Sequence, residues 1–375
     1  MLSDQTMRTR QMPDKSLLSA IIALIIFGWI MSFSASLAYF ESYSYFFKQT
    51  LFIIVALAAG LGILNTPISV LQKYSMPLFI LSLVLLVVVF FPKPIGHEVN
   101  GSSRWINFVF FKFQPSELMK LSMVLFMAGF LIRQESDVRS PWMGFIKTIF
   151  IIGIADVLLL FETDFGALLI ISLTALAMLF AAGSYLKQLG IVTTGLFAVV
   201  GIFIAFNPNR LDRLTSFWND YTQVHQTYQA LIGIARGEWF GTGLGGGIQK
   251  YALLPERHTD MIFATIGEEL GIVGMLFVLL SFTYILTKGF NIAKLALKKG
   301  RKYSSYVVFG ICTWFAMQVT VNIGMNLGLL PPKGFTLPLL SYGGTSMIFA
   351  VISLAIILRV DMENKTNYFK QRKYV

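Results

Sequence analysis

The chain has 375 residues, of which 55% are hydrophobic and only 13% are charged. Soluble globular domains carry about 25% charged residues, so this composition excludes them and indicates a polytopic membrane protein. The formal net charge is +11, but the basic residues lie between apolar runs in alternate loops, which is typical of membrane topology rather than of nucleic-acid binding. The single cysteine, Cys312, excludes an intramolecular disulfide.

Ten apolar runs are each long enough to cross about 30 Å of hydrocarbon as a helix. They lie at residues 17–37, 47–66, 76–92, 117–133, 145–160, 165–184, 189–206, 261–287, 304–327 and 339–360. We therefore predict an all-α polytopic membrane protein with ten transmembrane helices spanning 17–360. The segment 1–16 is polar and basic, and the apolar run after it is a full span without a convincing small-residue cleavage site, so we expect an N-terminal tail and no cleaved signal peptide.

Loop charges predict the orientation. Basic residues are concentrated in both termini, including the tail 361–375, and in every second loop, above all in 288–303. By the positive-inside rule both termini are cytoplasmic. The longer segments 93–116, 207–260 and 328–344 then lie on the outer face, with 207–260 as a long loop between the seventh and eighth helices. Its aromatic and glycine content favours an ordered loop at the bilayer surface. The glycine run 241–247 has no preceding strand and no following Lys-Ser/Thr, so for the run itself a flexible loop is expected rather than a phosphate-binding loop.

The first outer segment pairs Arg104 with Trp105, either as an interfacial anchor or as a site for phosphate. Pro115 begins a helix on which Glu117 and Lys120 share one face, so these charges form a structural pair or line a pathway. Glu162 and Asp164 place two carboxylates at the outer end of a span, and Asp164 is either an exposed helix N-cap, which needs no functional explanation, or a site residue.

The stretch 253–271 concentrates ionisable residues beside an apolar run, where each is costly. Asp260 directly precedes the run, and partial loss of solvation would raise its pKa toward the range of a general base. Of Glu268 and Glu269, at least one must face the interior. His258 has no second histidine or cysteine at ligand spacing, so we interpret it as a hydrogen-bonding loop residue rather than as a zinc ligand.

The segment 328–344 is broken by proline and glycine, as in re-entrant segments, which membranes tolerate only where they line a cavity. Lys333 could neutralise an anionic substrate there. These features together predict an outward-facing cavity suited to an amphiphile with a phosphorylated head.

Four motifs resemble those of the SEDS family of membrane glycosyltransferases, which includes FtsW and RodA. They are Asn100-Gly-Ser-Ser-Arg-Trp-Ile with Gln114-Pro-Ser-Glu-Leu-Met-Lys, Asp164-Phe-Gly, Leu254-Pro-Glu-Arg-His-Thr-Asp with Gly267-Glu-Glu-Leu-Gly, and Gly328-Leu-Leu-Pro through Ser341-Tyr-Gly-Gly. Thr163 and Ala252 depart from the family pattern, since proline and, in some FtsW proteins, glutamate stand there.

The resemblance implies a polymerase of lipid II at the outer face of the bacterial cytoplasmic (inner) membrane. It implies a class B penicillin-binding protein as transpeptidase partner, other divisome or elongasome membrane proteins, and no nucleic acid. Asp260 matches the family's essential acid, and the other sensitive positions match Arg104, Trp105, Glu117, Lys120, Asp164, Glu256, Lys333 and Ser341, with His258 as a supporting residue.

Within the family, Thr336-Leu-Pro, Lys333-Gly, Asn326 and Gly267-Glu-Glu favour the division member FtsW. Asn322 and Arg257 fit the elongation member RodA equally well, so RodA-type elongation is the alternative. The expected mechanism uses Asp260 to accept a proton from a sugar hydroxyl, with or without help from a divalent cation, Mg²⁺ or Mn²⁺. A lipid II flippase and a non-catalytic scaffold are the rival functions.

Overall fold

In a computed structural model, the structure describes residues 12–36, 43–91, 96–99, 102–108, 111–138, 142–206, 208–219, 225–249, 251 and 254–366. These residues form thirteen helices and three short strands. The helices are α1 Lys15–Ser36, α2 Tyr43–Asn65, α3 Ile68–Val88, α4 Pro115–Arg133, α5 Glu135–Val138, α6 Met143–Phe161, α7 Phe165–Ala181, α8 Leu186–Ala205, α9 Pro208–Asn219, α10 His225–Gly237, α11 Ile262–Lys298, α12 Lys302–Asn326 and α13 Gly344–Lys365.

Each predicted apolar run coincides with one long helix, which confirms the all-α polytopic fold. Eight of the described helices are long and apolar enough to cross a membrane, and α7 is apolar but shorter, at 17 residues. The count of ten spans stays a prediction. The last helix, α13, continues to Lys365, beyond the predicted boundary at residue 360.

The first outer segment contains a small sheet that the sequence analysis did not predict. Strands β1 Gly96–Val99, β2 Ser102–Asn107 and β3 Lys112–Phe113 pair antiparallel in that order. Ile106 lies opposite both Gly96 and Phe113. Because short chain reversals of this kind allow antiparallel pairing, a segment outside the long helices still satisfies part of its backbone hydrogen bonding.

Two contacts that join α11 to the two ends of α1 mark the ends of a shared span. Lys288 pairs with Asp14 at 3.1 Å at one end, and the Ser34 hydroxyl donates a hydrogen bond to the Glu269 carboxylate at the other. Glu269 and Lys288 are nineteen residues apart, or about 28 Å along a helix, which matches the hydrocarbon thickness of about 30 Å. The first two turns of α11 therefore extend beyond the Ser34 end of the span.

Helix α11 is interrupted at Gly271, where φ is 65° and ψ is −161°. The backbone N–H groups of Ile272 and Val273 donate instead to the carbonyls of Glu238 and Trp239, at 2.9 and 3.2 Å. The chain that follows α10 thus completes the hydrogen bonding that the kink removes from α11.

The glycine run 241–247 is packed against α11, so the expectation of a flexible loop is wrong. Glu268 accepts the N–H of Ile248 at 2.7 Å, and Glu269 accepts that of Gly245 at 3.1 Å. Both carboxylates are buried, more than the single inward-facing residue required by the sequence analysis. The glycines are needed because the backbones approach closely: a Cβ on Gly241 would lie 2.1 Å from the Glu269 carbonyl oxygen.

We expect Gly237→Ala to destabilise the protein by about 1–3 kcal/mol, as overpacking does elsewhere. The added Cβ would lie 1.9 Å from the Gly267 carbonyl oxygen, which forces α10 away from α11. Thermal unfolding in detergent measures the effect. Gly190→Ala is the matched control because a Cβ there meets nothing within 4 Å. Equal melting temperatures for the two variants would contradict the close approach of the helices.

Candidate active site

Three amide side chains form a ladder along one face of α12: Gln318, Asn322 and Asn326, spaced one helical turn apart. The Nδ2 groups of both asparagines donate to the Asp260 backbone carbonyl at 3.0 Å. Asn326 Oδ1 also accepts the N–H of Ala264 at 2.9 Å. The residue predicted to carry the chemistry is therefore fixed through its backbone, which leaves its carboxylate available.

The same ladder holds residues 327–343, here called the re-entrant segment. Asn322 donates to the Phe335 carbonyl, and Gln318 donates to the Thr336 carbonyl at 2.8 Å. Ser341 donates its hydroxyl proton to the Thr259 carbonyl at 2.5 Å. Irregular backbone is thereby satisfied by protein groups, as is required at membrane depth.

The position of Gly28 shows how deep the re-entrant segment reaches. A Cβ there would lie 2.5 Å from the Leu339 carbonyl oxygen. Gly28 is six residues before Ser34 on α1, so this contact is about 9 Å inside the end of the shared span. The depth agrees with the re-entrant form predicted from the prolines and glycines.

Asp260 and Arg104 meet at Gly334. A Cβ on Gly334 would lie 3.5 Å from Asp260 Oδ2 and 4.0 Å from Arg104 Nη1. Arg104 extends from β2 and donates through Nη2 to the Thr163 carbonyl at 2.5 Å. Its neighbour Trp105 is half-buried on the same strand. A carboxylate and a guanidinium thus share one small opening, which glycine keeps clear.

The environment of Asp260 suits a general base. Burial and the nearby Glu256 carboxylate raise the pKa of Asp260 to about 7, against the opposing effect of Arg104. Glu256 itself is exposed, has a φ of 53°, and accepts a hydrogen bond from the Thr259 hydroxyl at 2.7 Å. A carboxylate with a pKa near 7 can both accept and release a proton under ordinary conditions.

Lys333 and His258 flank this opening. Lys333 Nζ lies 6.0 Å from the centre of the Phe165 ring, and the His258 ring stacks on Tyr45 at 5.6 Å. Burial and the Arg257 charge lower the pKa of His258 to about 4, so this imidazole is neutral at pH 7. Its backbone carbonyl accepts the N–H of Tyr342, from the re-entrant segment, at 2.7 Å.

Glu117 and Lys120 lie inside the helix bundle, behind the re-entrant segment. Their side chains pair at 2.9 Å and are 7% and 6% exposed. Lys120 also contacts Gln318 Oε1 at 3.2 Å and the Trp314 ring at 5.0 Å. The predicted shared face of α4 is confirmed, and the pair is connected to the site through the amide ladder rather than by direct exposure.

Asp164 is an N-cap, as one interpretation predicted, but it is buried rather than exposed. Its Oδ1 accepts the N–H of Ala167 at 3.2 Å at the start of α7. Its Oδ2 accepts hydrogen bonds from Ser116 at 3.1 Å and from Gln114 at 3.3 Å, at the start of α4. Asp164 therefore joins two helix starts next to the residue that anchors Arg104.

The amide ladder was not predicted from the sequence, and Glu162 was noted there only as one of two carboxylates at the outer end of a span, without a role. The four-residue spacing of Gln318, Asn322 and Asn326 within an apolar helix was a usable signal, because uncharged polar groups in membrane helices usually bond across helices. Glu162 gave no such signal, since its burial depends on chain packing that no local pattern specifies.

A divalent cation stays a prediction. Within the described ranges, no group of three or more His, Cys, Asp or Glu side chains could hold a metal ion.

Removing one partner of the Glu117–Lys120 pair tests what the pair does. We expect Lys120→Met to destabilise the protein by about 3–5 kcal/mol, because it leaves a buried carboxylate uncompensated. The double variant Glu117→Gln with Lys120→Met should recover most of that loss in thermal unfolding. If the double variant unfolds at the wild-type temperature and retains catalytic activity, the pair is structural. If it unfolds at the wild-type temperature but has lost catalytic activity, the pair is functional.

Comparison with known proteins places this geometry in context. The sequence model that describes the cell cycle protein family of FtsW, RodA and SpoVE matches residues 15–366 of this chain. A probable peptidoglycan glycosyltransferase FtsW from Legionella pneumophila is 42% identical over 361 residues, covering 94% of this chain and 91% of that protein. One of the same description from Thiomonas intermedia is 40% identical, covering 94% and 89%.

Solved structures share the fold. A chain from a structure described as structural coordination of polymerization and crosslinking by a peptidoglycan synthase complex matches with a TM-score of 0.79 at 24% identity, covering 95% of this chain and 99% of that one. The crystal structure of the rod shape determining protein RodA from Thermus thermophilus matches with a TM-score of 0.71 at 24% identity, covering 95% and 98%. With its motifs, its amide-held site and these relatives, the chain belongs to the FtsW, RodA and SpoVE family of membrane proteins.

Proposed function

We propose that this protein is a peptidoglycan glycosyltransferase that polymerises lipid II into glycan strands. The observation that carries the proposal is the meeting of the Asp260 carboxylate and the Arg104 guanidinium at Gly334. A base beside a fixed cation suits a transfer in which a hydroxyl group loses a proton while a phosphorylated group leaves. Family membership and the names of relatives about 40% identical support the same reaction.

In this mechanism Asp260 accepts the proton of the sugar 4-hydroxyl of lipid II while the oxygen attacks the anomeric carbon of the growing chain. The bond from that carbon to undecaprenyl pyrophosphate breaks, and Arg104 and Lys333 compensate the charge that develops on the leaving group. A positioned base contributes about 10²–10⁴-fold to such a rate. The peptide oxygen of Asp260 is bound to α12, which fixes the backbone from which the carboxylate extends.

An apolar groove of about 790 Å³ between α3 and α6 suits the polyprenyl chain. Its lining contains Leu83, Val87 and Phe150, and it ends at Leu158, whose carbonyl accepts the N–H of Glu162 at 2.9 Å. The groove thus leads from the hydrocarbon to the loop that anchors Arg104. Polyprenyl chains bind such surfaces through burial of apolar area, while the phosphates remain at the boundary.

The cellular setting belongs to the proposal as well. Similarity to proteins named FtsW favours septal wall synthesis in cell division over RodA-type elongation. We place the site on the outer face of the bacterial inner membrane with both termini cytoplasmic, following the loop charges. A class B penicillin-binding protein is the proposed partner, in keeping with a structural neighbour from a peptidoglycan synthase complex.

We expect Asp260→Asn to lower lipid II polymerisation by at least about 100-fold without loss of folding, because asparagine keeps the shape but cannot accept the proton. The measurement is the yield of glycan strands from purified lipid II and protein with its partner. Polymerisation at the native rate by a folded Asp260→Asn variant would contradict the assignment. If the wild type forms no glycan but transports lipid II across vesicle membranes, a flippase is favoured. If it forms no glycan and only binds its partner, a scaffold is favoured.

Glu256→Gln should move the acid limb of the pH–rate profile to lower pH. Glu256 helps to raise the pKa of Asp260, so its neutral replacement lowers that pKa and the base stays ionised further into acid. The measurement is kcat/KM for lipid II between pH 5 and pH 9, with the half-maximal point near 7 in wild type. Glu135→Gln, which changes a carboxylate paired with Lys302 on α12, should leave the limb in place; equal shifts in both variants would contradict local coupling.

A further inference from the structure

The loop between α6 and α7 contains a buried carboxyl group that the mechanism above does not use. Glu162 has no exposed surface. Within the part of the chain that the structure describes, neither of its carboxylate oxygens has a hydrogen-bond partner. A buried ionised carboxylate without such partners is costly, so this group needs an explanation.

Arg104 lies beside Glu162 but does not bond to it. The guanidinium donates through Nη2 to the carbonyl of the next residue, Thr163, and its buried Nε–H makes no hydrogen bond to any described residue. Thr163 has a φ of 63°, which is strained for a β-branched residue and would exclude a proline at this position. The backbone therefore holds Arg104 next to the carboxyl group while leaving one donor and two acceptor oxygens unused.

We propose that Glu162 is a positioning residue whose carboxyl group is neutral in the working enzyme, which leaves the Arg104 guanidinium to the phosphate groups of the lipid. When Glu162 loses its proton, the carboxylate pairs with the guanidinium and withdraws it from the site. This inference rests on the proposed function for the identity of the phosphate-bearing ligand, but not for the coupling between the two side chains.

The charges around Glu162 support a neutral carboxyl group. Burial and Asp164 raise the pKa of Glu162 to about 9, while Arg104 acts in the opposite direction. Asp164 lies on the same loop and is bonded to α4 and α7, and Lys333 and Asp260 lie beyond Arg104 on the side of the re-entrant segment. Below pH 9 the Arg104 guanidinium is thus shared by Asp260 and the ligand. Above pH 9 the ionised Glu162 carboxylate competes with them for this guanidinium.

The kinetic test compares wild type, Glu162→Gln and Asp156→Asn in lipid II polymerisation from pH 6 to pH 10. We expect kcat/KM of the wild type to fall above pH 9 and the Glu162→Gln profile to lack this fall. The kcat/KM of Glu162→Gln divided by that of the wild type should then rise about tenfold at a pH one unit above the pKa of the carboxyl group. Asp156 is a half-buried carboxyl-bearing residue of α6 whose side chain is bonded to Ser172 at 2.6 Å, and its variant should follow the wild-type profile. Parallel profiles for wild type and Glu162→Gln would overturn the proposal.

A second measurement needs no activity and no folded Glu162→Gln variant. Infrared spectra of the wild type should show a protonated carboxylic acid that ionises near pH 9, and Arg104→Gln should move that ionisation to higher pH because it removes the cation that favours the carboxylate. The absence of this group at pH 7, or its insensitivity to Arg104→Gln, would overturn the coupling. If the coupling is present and no glycan forms, the proposed function fails while the role of Glu162 toward Arg104 stands.

Discussion

The need to satisfy backbone polar groups near the hydrocarbon governs this structure. The re-entrant segment has no helix or sheet of its own to pair its peptide groups, and the amide ladder of α12 supplies partners for it. The same amides bind the backbone of Asp260. One requirement of the membrane, that no peptide group be left unpaired, thus also orients the proposed base. Positioning for catalysis and stability of the fold depend on the same three side chains.

The charged residues in and near the candidate site fall into two classes, structural and substrate-facing, that the sequence alone does not distinguish. In the first class the charge is neutralised or hydrogen-bonded inside the protein, as when Glu117 pairs with Lys120 and when Glu268 accepts hydrogen bonds from the chain that follows the glycine run. In Asp260 the backbone is bound by other protein groups, and in Arg104 one guanidinium donor is bound. Their remaining polar atoms, Asp260 Oδ2 and Arg104 Nη1, face Gly334. Costly buried charge is therefore a good guide to important positions, but the partners of each group decide whether it holds the fold or meets a substrate.

Much of the fold could be predicted because it depends on local pattern: apolar runs specified the long helices, and Pro115 specified the start of α4. The stretch 253–271 could be selected as a candidate because charges such as Asp260 are rare beside apolar runs. The small sheet, the packing of the glycine run and the burial of Glu162 were not predictable in this way. Each depends on contacts between distant parts of the chain, as when Ser34 meets Glu269 across 235 positions, and no local periodicity records such partners.

The break at Gly271 has a mechanical consequence. The first turns of α11 share hydrogen bonds with α10 and the glycine run, whereas the rest of the helix packs along α1 down to Lys288. The outer turns and α10 therefore form one hydrogen-bonded unit, which ends at Gly271, close to the end of the span shared with α1. Because Asn322 and Asn326 bind the Asp260 carbonyl, this unit is also tied to α12, so strain in the spanning part of α11 would be absorbed at Gly271 before it reached Asp260.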